Sequence, residues 1–459
     1  MSNARRATLA FTIMGLLLVT VGVTQSPSVA LAIFNLCLIS AVMSLGVNIQ
    51  WGYAGLFNVG TMGFAALGGV AGVLVSAPPV AEAWSAGGTN LFLAALVLLI
   101  TIAAAVLVHK NLPKSPVRAA LMAIVILLGI WAMRAFSDTA IADIEAVNPA
   151  VTGYLGGLGL PILVSWIAGG LFAAGAAWLV GKISLGLRSD YLAIATLGIS
   201  EIIIALLKNE DWLTRGVKNV TGLPRPAPYE LDLQQTDWFI QAATWLNSAS
   251  LDAVSAGERP AMLRQLVIDY SSLFVKITYA GLFTAVLLII LGLSVRALNS
   301  PWGRMMRAIR DNESTANAMG KNVTGRHLQV FVLGSAVVGI AGAMLVSLDG
   351  QFTPGSYQPL RFTFLIWVMV IVGGSGNNLG AVLGGFVIWF AWIEAEPVGV
   401  WMIDNATSWL GEDNTVRQHL METAQHMRAF VMGLVLLIML RFNPGGILPE
   451  VHKNSGRGK

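Results

Sequence analysis

Apolar runs of about 20 residues with few charges alternate with polar connections along most of this chain, as expected for helices that cross a bilayer. The runs are Leu9–Val23, Val29–Gly46, Val59–Val75, Leu91–Val108, Arg118–Met133, Pro161–Val180 and Tyr191–Leu207. After a long polar insert come Leu273–Val295, Leu328–Val346, Phe362–Val372, Ala381–Trp392 and Phe430–Leu440. The last three are short, so this region holds either clean crossings or a re-entrant segment. The pattern predicts an all-α, polytopic transmembrane helical bundle of about 10–12 spans with broken or re-entrant helices. It divides the chain into an N-terminal bundle (1–208), a polar extracytoplasmic insert (209–272), a C-terminal bundle (273–442) and a basic tail (443–459). Leu9–Val23 follows Arg5 and Arg6 as a signal peptide would, but no small-x-small cleavage site leads into a polar chain, so it is read as the first span.

Two interruptions stand out. Asn48–Thr61 breaks apolar sequence with glycines and amides, and Gly373-Gly374-Ser375-Gly376-Asn377-Asn378-Leu379-Gly380 breaks it again. Unwound backbone at membrane depth survives where it is buried in protein or lines a cavity, and broken helices expose N–H or C=O ends to polar solutes. The competing reading of Asn48–Thr61 is a tight turn between two spans. The second glycine cluster is not a phosphate cradle, because it lacks the following Lys-Ser/Thr and the preceding strand. A third polar intrusion is Glu201, inside an apolar run. An intramembrane carboxylate is costly unless paired, so it either meets a substrate ammonium or holds a neighbouring helix.

Composition agrees with the pattern. Apolar residues make up 56% of the 459 and charged residues 11%, against about 25% charged in soluble domains. The 49 glycines suit close helix contacts in lipid. A net charge of +4, scattered along the chain, gives no basis for nucleic-acid binding. Cys37 is the single cysteine, which excludes internal disulfides and cysteine metal sites, and the five histidines show no metal-ligand spacing within a span. Arg5 and Arg6, the His109–Arg118 loop, Lys182–Arg188, the Asn299–Arg326 loop and the Lys453–Lys459 tail fall on one side. Asp138, Asp143, Glu145, Glu394, Glu396, Glu412 and Asp413 fall on the other. The positive-inside rule then places both termini in the cytoplasm. Pro397–His426, with Trp401 and Trp409, reads as an interfacial helix, and Glu230–Tyr270 as either a contact for a soluble binding protein or an insertion.

The most informative polar stretch is the loop Asn299–Arg326. Ser300 suits an N-cap and Pro301 the first helical position; Arg304, Arg307 and Arg310 recur every third residue, with Met306 and Ile309 on another face. Asn312 suits the cap of a second short helix, Glu313 favours its positive end, and Gly320 suits a left-handed stop. From composition alone this is either an ordinary topology-setting loop or a displayed docking element. The order Arg307-Ala308-Ile309-Arg310-Asp311-Asn312, then Ala316, Ala318, Gly320 and Asn322-Val323-Thr324, resembles the cytoplasmic loop of branched-chain amino acid ABC-importer permeases, in particular the LivM-like member of the LivH/LivM pair. In that family the loop is a form of the EAA motif that docks on an ATPase subunit. Here the triplet stands as Ser314-Thr315-Ala316, with Gly320 following, and the later Ile-x-Leu-Pro part of the general importer motif is missing. The resemblance implies docking by Arg307, Arg310, Glu313, Ala316, Ala318 and Gly320.

The same resemblance extends from about Ala41 to Gly385, apart from the spans around Leu91–Met133 and the insert Glu230–Tyr270. Trp51-Gly52-Tyr53-Ala54-Gly55 through Gly60 is similar to the family's Gly-Tyr-x-Gly-x-x-x-x-Gly segment on its translocation route; relatives carry His or Tyr where Thr61 stands. Ser189–Gly198 ahead of Glu201 and the exit loop Thr221–Pro226 also match. The pathway residues implied are Asn48, Gly52, Tyr53, Gly55, Asn58, Gly60, Thr61, Thr196, Glu201, Gly373, Gly374 and Gly376.

These observations lead to the expectation of a non-catalytic permease subunit in a bacterial inner membrane. The resemblance implies a homologous second permease, two ABC ATPases that carry ATP and Mg, a periplasmic substrate-binding protein, and import of branched-chain or related hydrophobic amino acids by alternating access. No cofactor is expected in this chain. Urea and short-amide importers are the alternative within the superfamily. An ion-coupled secondary transporter is the alternative from another class: it would use Glu201 and have no need of the loop.

Overall fold

The computed structural model describes residues 3–149, 152–411 and 414–450. The basic tail Lys453–Lys459 and the acidic Glu412 and Asp413 lie outside them. The N-terminal half runs α1 Asn3–Thr24, α2 Pro27–Ala54, α3 Thr61–Ala71 with a π turn Gly72–Ser76, α4 Ala81–Asn111, α5 Pro116–Ala146, α6 Ile162–Ser184 and α7 Ser189–Asn209. A connecting region follows: α8 Asp211–Thr214, β1 Val220–Thr221, α9 Glu230–Gln234, α10 Asp237–Leu246 and α11 Ser248–Asp252. The second half runs α12 Arg259–Asn299, α13 Pro301–Asp311, α14 Glu313–Ala318, α15 Val323–Asp349, β2 Gln351–Phe352, α16 Pro359–Gly373, α17 Asn378–Ala406, α18 Thr415–Thr423 and α19 Met427–Phe442.

Among the described residues nine helices are long and apolar enough to cross a membrane, and the bent pair α18–α19 makes ten. Helix α3 with its π turn, and α16, are shorter apolar helices. At 15 residues α16 is roughly 22 Å long, less than the roughly 30 Å of a hydrocarbon core. The chain is a multi-pass, all-α membrane bundle, and every apolar run of the sequence lies on a helix.

Several boundaries differ from the sequence reading. Helix α4 starts at Ala81, ahead of Leu91, and α5 runs on from Met133 to Ala146, so Asp138, Asp143 and Glu145 lie on a helix and not in a connection. Helix α2 continues through Asn48–Ala54, so the first break narrows to 55–60. Helix α12 begins at Arg259 and is 41 residues long, roughly 60 Å, so its first turns project beyond any bilayer core. Helix α17 does not stop at Trp392 but runs through Pro397 to Ala406, leaving the shorter α18 where an interfacial helix was expected over Pro397–His426. The apolar run ended there because Glu394 and Glu396 interrupt it. In the fold Glu394 accepts from Gln25 Nε2 at 2.9 Å and Glu396 pairs with Arg428 at 2.6 Å, so both are accommodated within the bundle.

Helices from both halves of the chain interleave. α2 packs on α15, α17 and α12, while α15 also packs on α3 and α6. Small residues allow these approaches: a Cβ on Gly68 would overlap the backbone of Gly339, and one on Gly384 would overlap the Met369 carbonyl. By contrast α4 and α5 pack chiefly on each other and leave Phe92, Leu99 and Trp131 exposed, a face suited to lipid. The short antiparallel ribbon β1–β2, in register Val220 with Phe352 and Thr221 with Gln351, marks one end of the bundle. Helices α13 and α14 lie at the other.

Candidate functional site

At the α13 end, both helix breaks are tied together by side-chain amides. Gly55, at φ 70°, ends α2 and sends the chain through 55–60 to Thr61. Gln50 Nε2 donates to Phe331 O at 3.0 Å and to Ser335 Oγ at 3.1 Å on α15, while its Oε1 accepts from Asn58 Nδ2 at 2.9 Å. Asn58 Oδ1 accepts from Gly60 N at 2.9 Å, and its carbonyl accepts from Trp367 Nε1 at 3.1 Å. Thr196 Oγ1 of α7 accepts from Val59 N at 3.1 Å. Asn48 spans to the second break: its Nδ2 donates to Asn378 Oδ1 at 3.1 Å and its Oδ1 accepts from Gly376 N at 2.9 Å. The chain end closes over this break, with Ile447 N donating to Val372 O and Leu448 N to Gly373 O. Trp51, Phe57 and Trp367 stack edge to face alongside, with centroids 4.7–5.4 Å apart.

Helix α13 joins the same cluster. Ser300 precedes it, but its hydroxyl donates to Ala297 O at 2.6 Å and does not cap the helix. Pro301 opens the helix, and Met306 and Ile309 are buried beneath it. Arg310 Nη1 donates to Gly52 O, and its guanidinium grips Glu450 through two contacts, at 3.0 and 3.3 Å. Burial opposes the Arg310 charge, but Glu450, by hydrogen bond and by charge, and then Asp311 more than offset it, so the pKa is raised. Arg307 Nη2 donates to Leu298 O at 3.1 Å. Asn312 caps α14 by accepting from Thr315 N at 2.9 Å, and Gly320 adopts φ 73°. Helix α14 buries none of its residues: Glu313, Ala318 and the following Gly320 are exposed and Ala316 is partly so. Trp302, Met305, Ala308, Ala316 and Met319 line an open concavity of about 640 Å³ with Lys321 and Arg326 at its edge.

A second space lies within the bundle. A cavity of about 270 Å³ is bounded by α2, α3, α15, α16 and α17. Its apolar wall includes Ile39, Met43, Met62, Leu345, Ile366 and Met369. Its polar end, on the side of the β1–β2 ribbon, is made by Asp349, Gln351, Thr353, Ser356 and Tyr357, with Trp389 on the wall. Among the described residues Tyr357 OH, Thr353 Oγ1 and Trp389 Nε1 are buried atoms without a hydrogen-bond partner.

The structure therefore separates the residues singled out in the sequence. Asn48, Gly52, Tyr53, Gly55, Asn58, Gly60, Gly373, Gly374 and Gly376 gather at the two breaks, with Thr196 bonded to Val59 N and Thr61 next along the chain, its buried Oγ1 without a partner among the described residues. Glu201 is exposed on the outside of α7. None of these twelve lines the cavity. The cavity's own polar group went unnoticed because Gly350–Tyr357 looks like an ordinary connection. The available signal was a carboxylate, Asp349, placed at the end of a long apolar run.

The family model described as branched-chain amino acid transport system, permease component, matches residues 119–440. The high-affinity branched-chain amino acid transport system permease protein LivM of Salmonella typhimurium is 24% identical over 296 residues, covering 63% of this chain and 59% of that protein. The chain thus spans less than two thirds of that relative's length. The probable branched-chain amino acid transport permease protein LivM of Methanocaldococcus jannaschii is 25% identical over 321 residues, 69% of this chain and 74% of that one. The probable LivH permease of the same organism is 30% identical over 122 residues, 26% of this chain and 38% of that protein. No solved structure matches the chain.

Proposed function

Because the chain belongs to the branched-chain amino acid transport system permease family, matched over residues 119–440, we propose that it is the translocation subunit of an ATP-driven importer that carries branched-chain amino acids inward. The observation that carries this reading is the joining of three parts in one bundle. Helix α13, which leads directly into the exposed short helix α14, is anchored through Arg310 to the broken end of α2, and that same helix α2 forms a wall of the internal cavity. A push on α14 reaches the cavity through connected hydrogen bonds and not through a flexible loop.

In this reading the α13–α14 concavity receives an ATPase subunit, and ATP and Mg act there and not on this chain. A second permease, as the LivH similarity suggests, completes the pair, and a periplasmic binding protein delivers substrate at the ribbon end. The arginine-rich α13 end faces the cytoplasm, by the positive-inside rule, and the membrane is the bacterial inner membrane. ATP-driven movement at α14 then tilts α13, α2 and α15 together and changes which end of the cavity is open.

The test is affinity purification from native membranes. Recovery of an ATPase pair and a second permease, lost with Ala316→Trp while the chain stays in the membrane, supports the reading. Recovery of the chain alone with ion-driven uptake in liposomes replaces it with a secondary transporter.

A further inference from the structure

The importer reading leaves open which features of a solute the permease itself recognises. We propose that the polar end of the 270 Å³ cavity is a built site for a zwitterionic α-amino acid, with Asp349 taking the ammonium, Tyr357 OH and the first turn of α16 taking the carboxylate, and the methionine-lined wall taking an aliphatic side chain. This assignment rests on the importer reading and names the residues that would meet its substrate.

Three independent features converge. The first is charge. The Asp349 carboxylate lines the cavity and makes no ion pair or hydrogen bond among the described residues. The guanidinium of Arg225 comes near Gly350 but is paired with Glu230 at 3.1 Å. Asp349 is exposed at the rim of the cavity, so an unpaired negative charge stands where the ammonium of a solute entering from water would meet it.

The second is the direction of the helices. Asp349 is the last residue of the 27-residue α15, which ends in a left-handed cap at Gly350. The negative end of a helix dipole therefore adds to the carboxylate at this point. Helix α16 starts on the other side of the same polar end, with Ser356, Tyr357 and Phe362 at the wall and no side chain capping its first N–H groups. Its positive end favours an anion. The cavity thus carries a cation-favouring and an anion-favouring edge side by side, as a zwitterion requires and a neutral amide or urea does not.

The third is the unused hydrogen-bonding capacity. Tyr357 is 3% exposed and its hydroxyl has no partner among the described residues, although it packs close to Gly69 of α3. Buried hydroxyls are usually partnered, and one left over at a cavity wall is a donor that a ligand can take. The volume lies just under the roughly 300–1,000 Å³ of drug-sized pockets, which suits a single amino acid.

The test measures equilibrium binding of radiolabelled leucine to the purified membrane complex, and leucine uptake by the complete complex in proteoliposomes. Two competitors each lack one charge: 4-methylpentanoate has no ammonium and 3-methylbutylamine no carboxylate. Asp349→Asn is expected to lower leucine binding and uptake about tenfold or more and to shrink the preference for leucine over 4-methylpentanoate. Tyr357→Phe is expected to lower binding several-fold and to shrink the preference over 3-methylbutylamine. It also decides the matter if Asp349→Asn does not assemble. Wild-type leucine transport with both variants equally active overturns the assignment alone, as does a loss that is the same for leucine and both competitors. A wild-type complex that moves another class of solute and no α-amino acid overturns the importer substrate and this site together.

Discussion

The two ends of the bundle use polar groups in opposite ways. At the α13 end Asn48, Gln50, Asn58 and Thr196 are buried and hydrogen-bonded, and their partners are the backbone of the helix breaks or one another. At the ribbon end, among the described residues, Tyr357, Thr353 and Trp389 carry buried donors with no partner, beside an exposed carboxylate, Asp349, that makes no ion pair. Both ends contain irregular backbone between helices, 55–60 and 374–377 at the first and 350–358 at the second. In the first, the side-chain amides of Asn48, Gln50 and Asn58 are spent on holding that backbone in place; in the second Tyr357, Thr353 and Trp389 keep donors available. A conspicuous polar motif in a membrane sequence therefore marks a structural joint as readily as a binding site, and the hydrogen-bond inventory tells them apart.

The largest effect is expected where a matched group is removed. Asn48→Ala leaves Gly376 N–H and the Asn378 side chain without their partner in a fully buried position. A loss of about 1–3 kcal/mol in unfolding stability is expected, measurable as a lower midpoint in denaturant titration of the purified chain. A variant as stable as the wild type would mean that the stitching between the breaks is dispensable, and the contrast between the ends would lose its first half.

An intermediate effect, of a different kind, is expected for Arg310→Ala. It removes the contacts of α13 with Gly52 O and Glu450 while Met306 and Ile309 keep the helix seated. ATP hydrolysis by the assembled complex should persist while uptake per ATP falls about tenfold, since a charge-assisted, two-point contact is lost from the connection. Equal uptake per ATP would show that motion passes to the cavity by another route.

For Tyr357→Phe the sign of the stability change is the point. Removing a buried hydroxyl that has no partner relieves a desolvation cost, so stability should be unchanged or rise by up to about 1 kcal/mol, the reverse of Asn48→Ala, while leucine binding falls. A clear loss of stability would reveal a structural partner for the phenol and cancel the contrast from the other side.

How much of this was readable in the chain follows the same division. The spans were legible because a lipid-facing helix has to be apolar along its length, and the breaks were legible because Gly55, Gly60, Gly374 and Gly376 interrupt that pattern. The extent of α17 was not, because the groups that accommodate Glu394 and Glu396 come from Gln25, in the turn between α1 and α2, and from Arg428 on α19. The cavity was not legible either. Asp349 and Tyr357 sit in a segment that looks like any polar connection, and only the approach of α2, α3 and α17 turns it into the rim of a cavity. The loop Asn299–Arg326 gave away its helices, the cap at Asn312 and the stop at Gly320 through local chemistry. It did not reveal that Arg310 would turn inward to Gly52, a contact 258 residues away in sequence.

The smallest effect is expected at Glu201, the polar residue that draws most attention in the sequence. It lies on the exposed side of α7, away from the cavity and from both breaks, and it makes no ion pair or hydrogen bond among the described residues. If ligand chemistry is confined to the ribbon end, Glu201→Gln removes a charge without touching the route, and leucine uptake by the assembled complex should fall by less than about threefold, within the range of an exposed substitution. The recovery of partner subunits should stay the same. Complete loss of uptake in a fully assembled complex would place a working carboxylate on the outer face of α7, where only a neighbouring subunit or the bilayer can reach it. The cavity would then be one part of a route shared between chains, and the contrast between the two ends of this bundle would have to be redrawn across the subunit interface.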